Sequence, residues 1–428
     1  MLVRFELVHY ARTVSARDLA KPPPLRRNRD FLLLWSGQVV STVGTRISSL
    51  AYPLLVLALT GSPAKAGIVG FSQTLPFLLL YLPAGALVDR WNRKRVMLVS
   101  DGGRALALAS IAVTLALHRL TLAQIALVAF VEGGLFVFFQ LAETAALPHV
   151  VTREQLPRAL AQNQARDQGA DLAGQPLGGL LFGIGQLLPF LVDSVSYAAS
   201  LATLLLVRPA LQQQRERPRT RLHTEVAEGI VWLWRQRFLR SIALLVGATN
   251  FVHNALPLLV IVRARQLGAS PALIGVVFAF FGAGAIVGSL VGPWVQRHVP
   301  ARTVVIGWLW VWAVEAGVLV LLPNALALGA VIGAGTVFGV SFNVVVGTYR
   351  YALVPDRLQA RTVSVTRLIA WGTIPLAQLT AGLLAQGIGA GPAFLAFAGV
   401  MLATAVAATA APSVRRAPPI EALSAEAA

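Results

Sequence analysis

The sequence predicts an all-α polytopic membrane protein with twelve transmembrane helices in two pseudo-symmetric six-helix bundles. Only 13% of its 428 residues are charged, about half the share usual in soluble domains. Apolar stretches long enough to cross ~30 Å of hydrocarbon recur along the whole chain. Short motifs of the first half return in the second half in the same order. Together these observations predict a membrane protein built from two related halves.

The apolar stretches contain Gly and Pro, which membrane helices tolerate because neighbouring helices satisfy the freed backbone groups. The predicted spans are residues 31–60, 64–88, 95–117, 121–146, 160–183, 187–207, 239–262, 272–294, 302–322, 325–347, 363–386 and 389–411.

The internal repeat has three parts. "AYPLLV" at 51–56 returns as "ALPLLV" at 255–260, and "SPAKAG" at 62–67 returns as "SPALIG" at 270–275. Gly85-x-x-x-Asp89-Arg90 returns as Gly292-x-x-x-Gln296-Arg297. The repeat predicts that the halves superpose, placing Gly85 on Gly292 and Pro53 on Pro257.

Five segments follow from these boundaries. The two bundles are expected at 31–207 and 239–411, flanked by tails at 1–30 and 412–428. The linker at 208–238 begins basic and polar, then becomes an amphipathic stretch suited to a membrane surface.

The distribution of charge predicts the orientation. Most of the 36 Lys and Arg residues fall in the two tails and in the connections that follow even-numbered spans. Short cytoplasmic loops carry such an excess, so we expect a multi-pass cell-membrane protein with both termini in the cytoplasm. The net charge of +18 therefore reflects topology rather than nucleic-acid binding. The odd-numbered connections hold only Lys65, Arg119, Arg263 and Arg265.

No motif for hydrolytic or nucleotide-dependent catalysis is present in the sequence. The six His residues lack metal-ligand spacing, and the absence of Cys excludes disulfides and thiolate chemistry. We therefore expect no enzyme activity, cofactor or metal, and an energy source in an ion or substrate gradient.

The stretch "GALVDRWNRKR" at 85–95 separates two apolar spans. Its cations suit anionic headgroups on the cytoplasmic surface. Gly85 permits close approach of helices, and Asp89 at the end of a span is placed to pair with a cation or a helix N-terminus.

The chain resembles the major facilitator superfamily, with its macrolide-efflux and enterobactin-exporter branch as the nearest likeness. The resemblance covers about 30–411 and rests on the twelve spans, the motif at 85–95 and its degenerate copy at 292–302. Further resembling stretches are "NRDFLLLWSGQ" (28–38), "LPAGALVDRW" (82–91), "LPFLVDSVSY" (188–197) and "YRYALVPDRLQAR" (349–361).

The resemblance implies a cytoplasmic gate at the turn after helix 2. We predict that in the outward-facing state Asp89 contacts a partner across the seam between the halves, near the start of helix 11. The candidate gate residues are Gly85, Asp89, Arg90, Arg93, Asp101 and Arg104. It also implies an antiporter motif in helix 5, usually G-P-x-x-G-G, whereas this chain reads "GQPLGG". Pro176 there still removes a helix hydrogen bond. The motif residues are Gly174, Gln175, Pro176, Gly178 and Gly179.

Ionisable groups inside a membrane are costly and mark candidate functional sites. The resemblance places helices 1, 4, 7 and 10 around a central cavity, where Arg46 and Glu132 lie at similar depth. A helical stripe on helix 4 joins Glu132 to Glu143 and suits an amphipathic or aromatic ligand. Ligand contact and interhelical hydrogen bonding remain alternatives for the helix 7 and 10 amides. The cavity candidates are Arg46, Glu132, Phe136, Phe139, Gln140, Asn250, Asn254 and Asn343.

Structural roles are expected for other charged residues inside the spans. In helix 5, Arg166 is expected to neutralise Asp167 and Asp171, which otherwise repel each other at i, i+4. Asp193 and Glu315 lie on helices expected at the periphery, where packing is the favoured role.

These features predict a secondary transporter that exports a hydrophobic or amphipathic small molecule by proton antiport. An importer or uniporter, or a non-transporting receptor or scaffold, remain alternatives. A monomer in the lipid bilayer is expected, with protons as the coupling ion. Burial disfavours an ionised carboxylate and a nearby Arg favours it, so Glu132 is the candidate proton carrier and Arg46 its partner. A structural Arg46–Glu132 ion pair is the alternative.

Overall fold

A computed structural model describes residues 24–208, 211, 231, 234–353 and 356–412. At 237–238, 348, 350–353 and 356–368 it describes the backbone or helix but not every side chain. The expected amphipathic stretch near 225–234 falls largely outside the described residues, as do both tails beyond 24 and 412.

Twelve long α-helices occupy the described part of the chain. They are α1 (Arg29–Thr60), α2 (Pro63–Val88), α3 (Arg93–Ala116), α4 (Leu122–Val150), α5 (Leu156–Ile184), α6 (Leu188–Leu206), α7 (Arg237–Gln266), α8 (Pro271–His298), α9 (Ala301–Val318), α10 (Ala325–Leu353), α11 (Asp356–Gly387) and α12 (Ala390–Ala410). A short 3₁₀ turn, Leu25–Arg27, precedes α1. The all-helical prediction is confirmed.

Judged on the described residues, ten of these helices are long and apolar enough to cross a membrane, and α5 and α11 are not among the ten. α5 is less apolar than the other helices of the first half because its first half carries Arg166, Asp167 and Asp171. Arg166 and Asp167 line the cavity of the first half, and Asp171 pairs with Arg46 of α1. A polar helix is tolerated at that depth when protein or a cavity surrounds it.

Both halves use the same order of helix packing. In the first half α1 packs on α5 and α6, α2 on α4, and α3 on α4 and α6. In the second half the same pairs recur with every label raised by six. The two principal contacts between the halves are α2 with α11 and α5 with α8. Each helix of one contact has its counterpart, six labels away, in the other contact. This packing agrees with a pseudo-two-fold arrangement of the bundles.

The helix ends are fixed by side-chain caps. Asn28 accepts a hydrogen bond from the Phe31 amide at 3.1 Å, and its own Nδ2 donates to the Val150 carbonyl at 2.8 Å, which ties α1 to the end of α4. Ser62 caps α2 and Ser270 caps α8 in the same way, by accepting from the amide three residues on. Capping satisfies backbone N–H groups that have no partner within the helix.

Glycines allow the halves to approach closely toward one end of the bundle. We call the face that holds residues 24 and 412 the terminal face, and the other the opposite face. Near the opposite face a Cβ on Gly67 would lie 2.8 Å from the Gly382 Cα. A Cβ on Gly179 would lie 2.9 Å from the Gly275 Cα. Only glycine allows α2–α11 and α5–α8 to approach this closely.

A neighbouring pair of glycines in α4 gives a test of this packing. A Cβ on Gly133 would collide with the Gln73 carbonyl oxygen of α2, whereas one on Gly134 would meet Leu80 Cδ1 at 3.4 Å. Alanine improves helix propensity equally at both positions. We expect Gly133→Ala to lower the unfolding free energy by about 1–3 kcal/mol through overpacking. Gly134→Ala should be neutral or stabilising, and thermal unfolding in detergent compares the two. Equal stability of both variants would contradict the described α2–α4 contact.

Candidate functional site

A cavity of about 290 Å³ lies among the helices of the first half. Its wall combines aromatic faces with charged and polar groups from α1 to α5. The lining residues are Thr42, Thr45, Arg46, Ser49, Gln73, Thr74, Phe77, Arg104, Glu132, Gly133, Phe136, Gln140, Glu143, Arg166 and Asp167. A second cavity of about 280 Å³ lies between the halves, and Arg46, Ser49, Gln73 and Thr74 border both.

Glu132 is held deep in the wall of the first cavity, where its side chain is 3% exposed. The Tyr52 hydroxyl donates to Oε2 at 2.8 Å. The Tyr197 hydroxyl lies 3.4 Å from Oε1, and an Arg104 nitrogen lies 3.7 Å from the same oxygen. Residues of α1, α3 and α6 therefore contact the Glu132 carboxylate. The Tyr52 hydroxyl makes its shortest contact, and the Arg104 guanidinium supplies its countercharge.

Arg104 neutralises Glu132 without forming a close hydrogen bond to it. Its guanidinium lies over the Tyr197 ring at 4.0 Å and near the Phe136 ring at 5.4 Å. One of its nitrogens donates to Thr45 Oγ1 at 3.4 Å. Cation–π contacts with desolvated rings stabilise a buried cation that has few hydrogen-bond acceptors.

Tyr197 joins two acceptors with a single hydroxyl proton. Thr45 Oγ1 lies 2.7 Å from the phenol oxygen, and Thr45 itself donates to the Ser41 carbonyl at 2.8 Å. Because Thr45 uses its proton on the backbone, Tyr197 donates either to Thr45 or to Glu132. The hydrogen bonding of Glu132 is therefore coupled to the position of α1.

Two further carboxylates are fully buried beside this cluster. Asp193 accepts from Ser48 at 2.6 Å and from Ser196 at 3.0 Å. Asp101 accepts from Ser200 at 2.6 Å, and Ser200 in turn accepts from Gln38 at 2.9 Å. Hydroxyl donors compensate part of the cost of burying these groups. Asp193 thus lies in the polar core of the first half rather than at a lipid-facing periphery.

Asp101 and Arg104, two of the candidate gate residues, have their described contacts in the polar core of the first half, and their gate role stays a prediction. Both are buried in α3 and contact α1, α4 and α6. The expectation relied on their nearness to Asp89 in sequence. Asp89 precedes α3, and Asp101 and Arg104 lie about two and three turns into that helix, at 5.4 Å a turn.

Arg46 pairs with Asp171 rather than with Glu132, so the predicted pairing is wrong for this conformation. Arg46 Nε lies 2.6 Å from Asp171 Oδ1 in an ion pair whose N–H is not aligned for a hydrogen bond. The pair joins α1 to α5. Depth alone suggested Glu132, but the two side chains extend from their helices toward different neighbours.

A double-mutant cycle tests the strength of this pair. Because the Arg46 and Asp171 side chains are 37% and 34% exposed, solvent screens their attraction. We expect Arg46→Gln and Asp171→Asn to couple by less than about 1 kcal/mol in unfolding free energy, measured in mixed micelles. The matched cycle uses Glu143 and Arg166, whose side chains are 13% and 8% exposed, and should show stronger coupling. Coupling of Arg46 with Asp171 near the 3–5 kcal/mol cost of breaking a buried pair would contradict this.

Arg166 neutralises one of its two expected partners. Its Nε lies 2.9 Å from Asp167, while a second nitrogen lies 2.7 Å from Glu143 of α4. Asp171 has Arg46 as its ion-pair partner instead. In the first cavity, arginine side chains therefore neutralise the acidic side chains.

Four of the five residues in the predicted stripe on α4 line the same cavity. Glu132, Phe136, Gln140 and Glu143 line the first cavity. Phe139 does not, because it packs in the core with Phe31, Leu34 and Met97. Adjacent residues lie about 100° apart around a helix, so the cavity reaches Gln140 and not its neighbour Phe139.

The helix 5 motif packs α5 between two neighbours. A Cβ on Gly174 would lie 3.0 Å from the Val43 carbonyl oxygen, and one on Gly178 would lie 2.7 Å from that of Ile47. Gly179 faces α8 instead. Gln175 lines the cavity between the halves, and Pro176 lies inside the unbroken α5. The motif thus provides close contacts to α1 and α8.

Two of the three candidate amide residues of the second half line a cavity, and the third links two helices. Asn250 and Asn343 line a third cavity, of about 290 Å³, and their Nδ2 groups donate to carbonyls of their own helices. Asn254 also donates to its own helix, and its carbonyl accepts from Gln378 at 3.0 Å, linking α7 to α11. The hydrogen-bond alternative therefore fits Asn254.

The residues of the turn after α2 make different contacts from those expected. A Cβ on Gly85 would meet nothing within 4 Å among the described residues, so none of them makes a close helix approach there. Lys94 donates to the Val207 carbonyl at 2.6 Å, and Arg93 donates to the Ala145 carbonyl at 2.8 Å. These two cations stabilise carbonyls near helix ends rather than headgroups.

Asp89 lies at the C-cap of α2, 4.0 Å from Arg93 and with a 68% exposed side chain. Its expected contact near the start of helix 11 falls on side chains outside the described residues. Arg90 is exposed beside it. The gate role of Gly85, Asp89 and Arg90 stays a prediction.

Comparison with known proteins decides the family. A sequence profile described as transmembrane secretion effector matches residues 21–427. The chain belongs to this family of major facilitator superfamily transporters. The recognition from the residue motifs is confirmed.

Relatives of this transporter include proteins named for efflux. Multidrug efflux pump Tap of Mycolicibacterium fortuitum is 26% identical over 399 residues, which span 90% of this chain and 96% of the pump. Macrolide efflux protein A of Streptococcus pyogenes is 23% identical over 61% of this chain and 65% of that protein.

Solved structures show the same fold at low identity. A bacterial homologue of the iron transporter ferroportin, in an inward-facing state, has a TM-score of 0.72 and 16% identity. It matches 90% of this chain and 98% of that chain. A bacterial homologue of the lysosomal transporter Spinster has a TM-score of 0.66, with 89% and 94% covered. The protein is thus a multi-pass membrane transporter with the major facilitator fold.

Proposed function

We propose that this transporter exports an amphipathic small molecule across the cell membrane by alternating access and proton antiport. The observation that carries the proposal is the first cavity, where aromatic rings of Phe77 and Phe136 lie beside paired acids and arginines. Such a wall suits ligands that combine an apolar body with a polar or charged group. The names of the efflux relatives support this class of substrate and the outward direction.

Alternating access would use the two seams between the halves. The glycine contacts of α2 with α11 and of α5 with α8 hold the opposite face closed in this conformation. Rocking of one bundle against the other would separate these helices and expose the cavities to that face. The charge distribution supports placing the terminal face in the cytoplasm.

Proton coupling would rest on Glu132. Tyr52 on α1, Arg104 on α3 and Tyr197 on α6 hold this carboxylate, so a shift of α1 changes its hydrogen bonding. Losing the Tyr52 bond and the Arg104 charge would leave a buried carboxylate that gains a proton. Each charge crossing the membrane supplies about 2.3 kcal/mol per 100 mV. Arg104 thus takes the partner role that the sequence suggested for Arg46.

Inside-out vesicles test direction, coupling and substrate class together. An acidic lumen should drive uptake of ethidium or a macrolide, and nigericin should abolish that uptake by collapsing the pH gradient. Vesicles without the protein are the control. Uptake only in right-side-out vesicles would indicate an importer. Substrate movement that does not depend on the pH gradient would indicate a uniporter. An importer or a uniporter result would each overturn the proposal.

A further inference from the structure

The third cavity, in the second half, contains a carboxylate that the proposed coupling does not use. Helices α7 to α10 form its wall, with Gln168 of α5. Glu315 of α9 lines this cavity although its residue surface is only 6% exposed. Its carboxylate lies against the backbone of Gly335, in the space that a Cβ would occupy. Glycine at 335 is therefore what allows the carboxylate to lie at this place on the wall.

Glu315 has no countercharge among the described residues. Its Oε2 is buried without a hydrogen-bond partner, and no described cation lies within the 4.0 Å of an ion pair. Asp356 is the other carboxylate between residues 239 and 412, and it begins α11 at the terminal face. In the first cavity, by contrast, Glu132 and Glu143 each have an arginine. An ionised carboxylate without such a partner is costly to bury.

The remaining wall offers groups that suit a cation. The Trp308 and Trp312 rings are stacked at 5.0 Å between centroids, and Trp308 lies 4.2 Å from Phe342. Aromatic faces attract organic cations through their quadrupole. Asn250 and Asn343 use their Nδ2 donors on their own helices, which leaves their Oδ1 atoms as acceptors.

We propose that this cavity binds the cationic group of an amphipathic organic cation, with Glu315 as its countercharge. The ligand supplies the positive charge that the described wall lacks, and its apolar part contacts the indole rings. His253, 5.8 Å from Trp312, is the other titratable group of the wall. The physiological meaning rests on the proposed export function, in which this cavity would hold cationic substrates. The binding itself is independent of transport and of the pH gradient.

Ethidium binding to the purified full-length protein in detergent tests the proposal by fluorescence polarisation. Glu315→Gln should weaken binding at least about tenfold, the range expected for losing a charge-assisted contact. Glu315→Asp should retain most of the affinity because it keeps the charge. Glu154→Gln, an identical change in the exposed turn before α5, should bind as the native protein does. Benzyltrimethylammonium should displace ethidium, and its neutral isostere neopentylbenzene should not.

A measurement on the native protein covers the case in which Glu315→Gln fails to fold. Dicyclohexylcarbodiimide modifies buried carboxyl groups, and mass spectrometry of peptides locates the adduct. Labelling of Glu315 that benzyltrimethylammonium suppresses would support the site. Unprotected labelling, or native ethidium affinity in a folded Glu315→Gln variant, would overturn it. Loss of transport with Glu315-dependent binding intact would instead count against the export proposal alone.

Discussion

Glu132→Gln is expected to abolish accumulation of substrate driven by a pH gradient while leaving substrate-for-substrate exchange largely intact. Glutamine can still accept the Tyr52 hydrogen bond, now 2.8 Å long to Oε2, so the local packing should persist. It cannot release or gain the proton, and the Arg104 charge loses its partner. We expect pH-driven uptake of ethidium to fall at least about tenfold, because one unit of pH gradient supplies about 1.4 kcal/mol per coupled proton, a factor of ten in concentration.

The control for this prediction is Glu154→Gln, which makes the same chemical change in an exposed turn. It should retain native accumulation. If Glu132→Gln still concentrates substrate with the native pH dependence, the proton travels elsewhere. Asp171, paired with Arg46 and partly exposed, and Asp167 are then the next candidates.

Gly179→Val is expected to hold the opposite face open and reduce transport to below about a tenth of the native rate. A side chain there would collide with the Pro271 carbonyl oxygen and the Gly275 backbone, which cannot move without separating α5 from α8. Overpacking of this kind costs about 1–3 kcal/mol, enough to shift a two-state equilibrium strongly. The protein should still fold, because the open state relieves the collision.

Gly183→Val provides a matched control one turn further along α5. A Cβ there would lie 4.0 Å from the Ala272 amide nitrogen, so we expect near-native transport. The conformational shift is read from Ser49→Cys, a cavity position in a chain that has no native cysteine. An impermeant maleimide should label it faster from the opposite face in the Gly179→Val background. Equal labelling and equal transport in both valine variants would contradict the seam assignment.

Much of the fold was readable from the sequence because membrane spans impose long apolar stretches and loops carry biased charge. The order of the twelve helices follows from that signal alone. The partners of the charged residues in α5 were not readable in this way, because Arg166 and Asp171 pair with residues of other helices. Helix ends also shifted: α4 continues to Val150 and α11 begins at Asp356, beyond the apolar stretches predicted.

The candidate site was predicted less well because partners on different helices depend on rotation about each axis. Glu132 was recognised from its depth, but its contacts with Tyr52, Arg104 and Tyr197 were not. Tyr197 and Asp193 lie four residues apart in "LPFLVDSVSY". This spacing places two polar groups on one helical face and was the available signal for a polar core. Nothing local in the sequence indicated that Glu315 would line a cavity.

A reversible disulfide across the α5–α8 seam tests alternating access most directly. Gly183→Cys with Ala272→Cys introduces the only two thiols of the chain, at positions where a Cβ on 183 lies 4.0 Å from the 272 amide nitrogen. This separation is compatible with disulfide geometry. Oxidation should lock the opposite face and stop pH-driven ethidium uptake, and reduction should restore it, while each single variant is unaffected. Native transport by protein that mass spectrometry shows to be fully cross-linked would contradict the account.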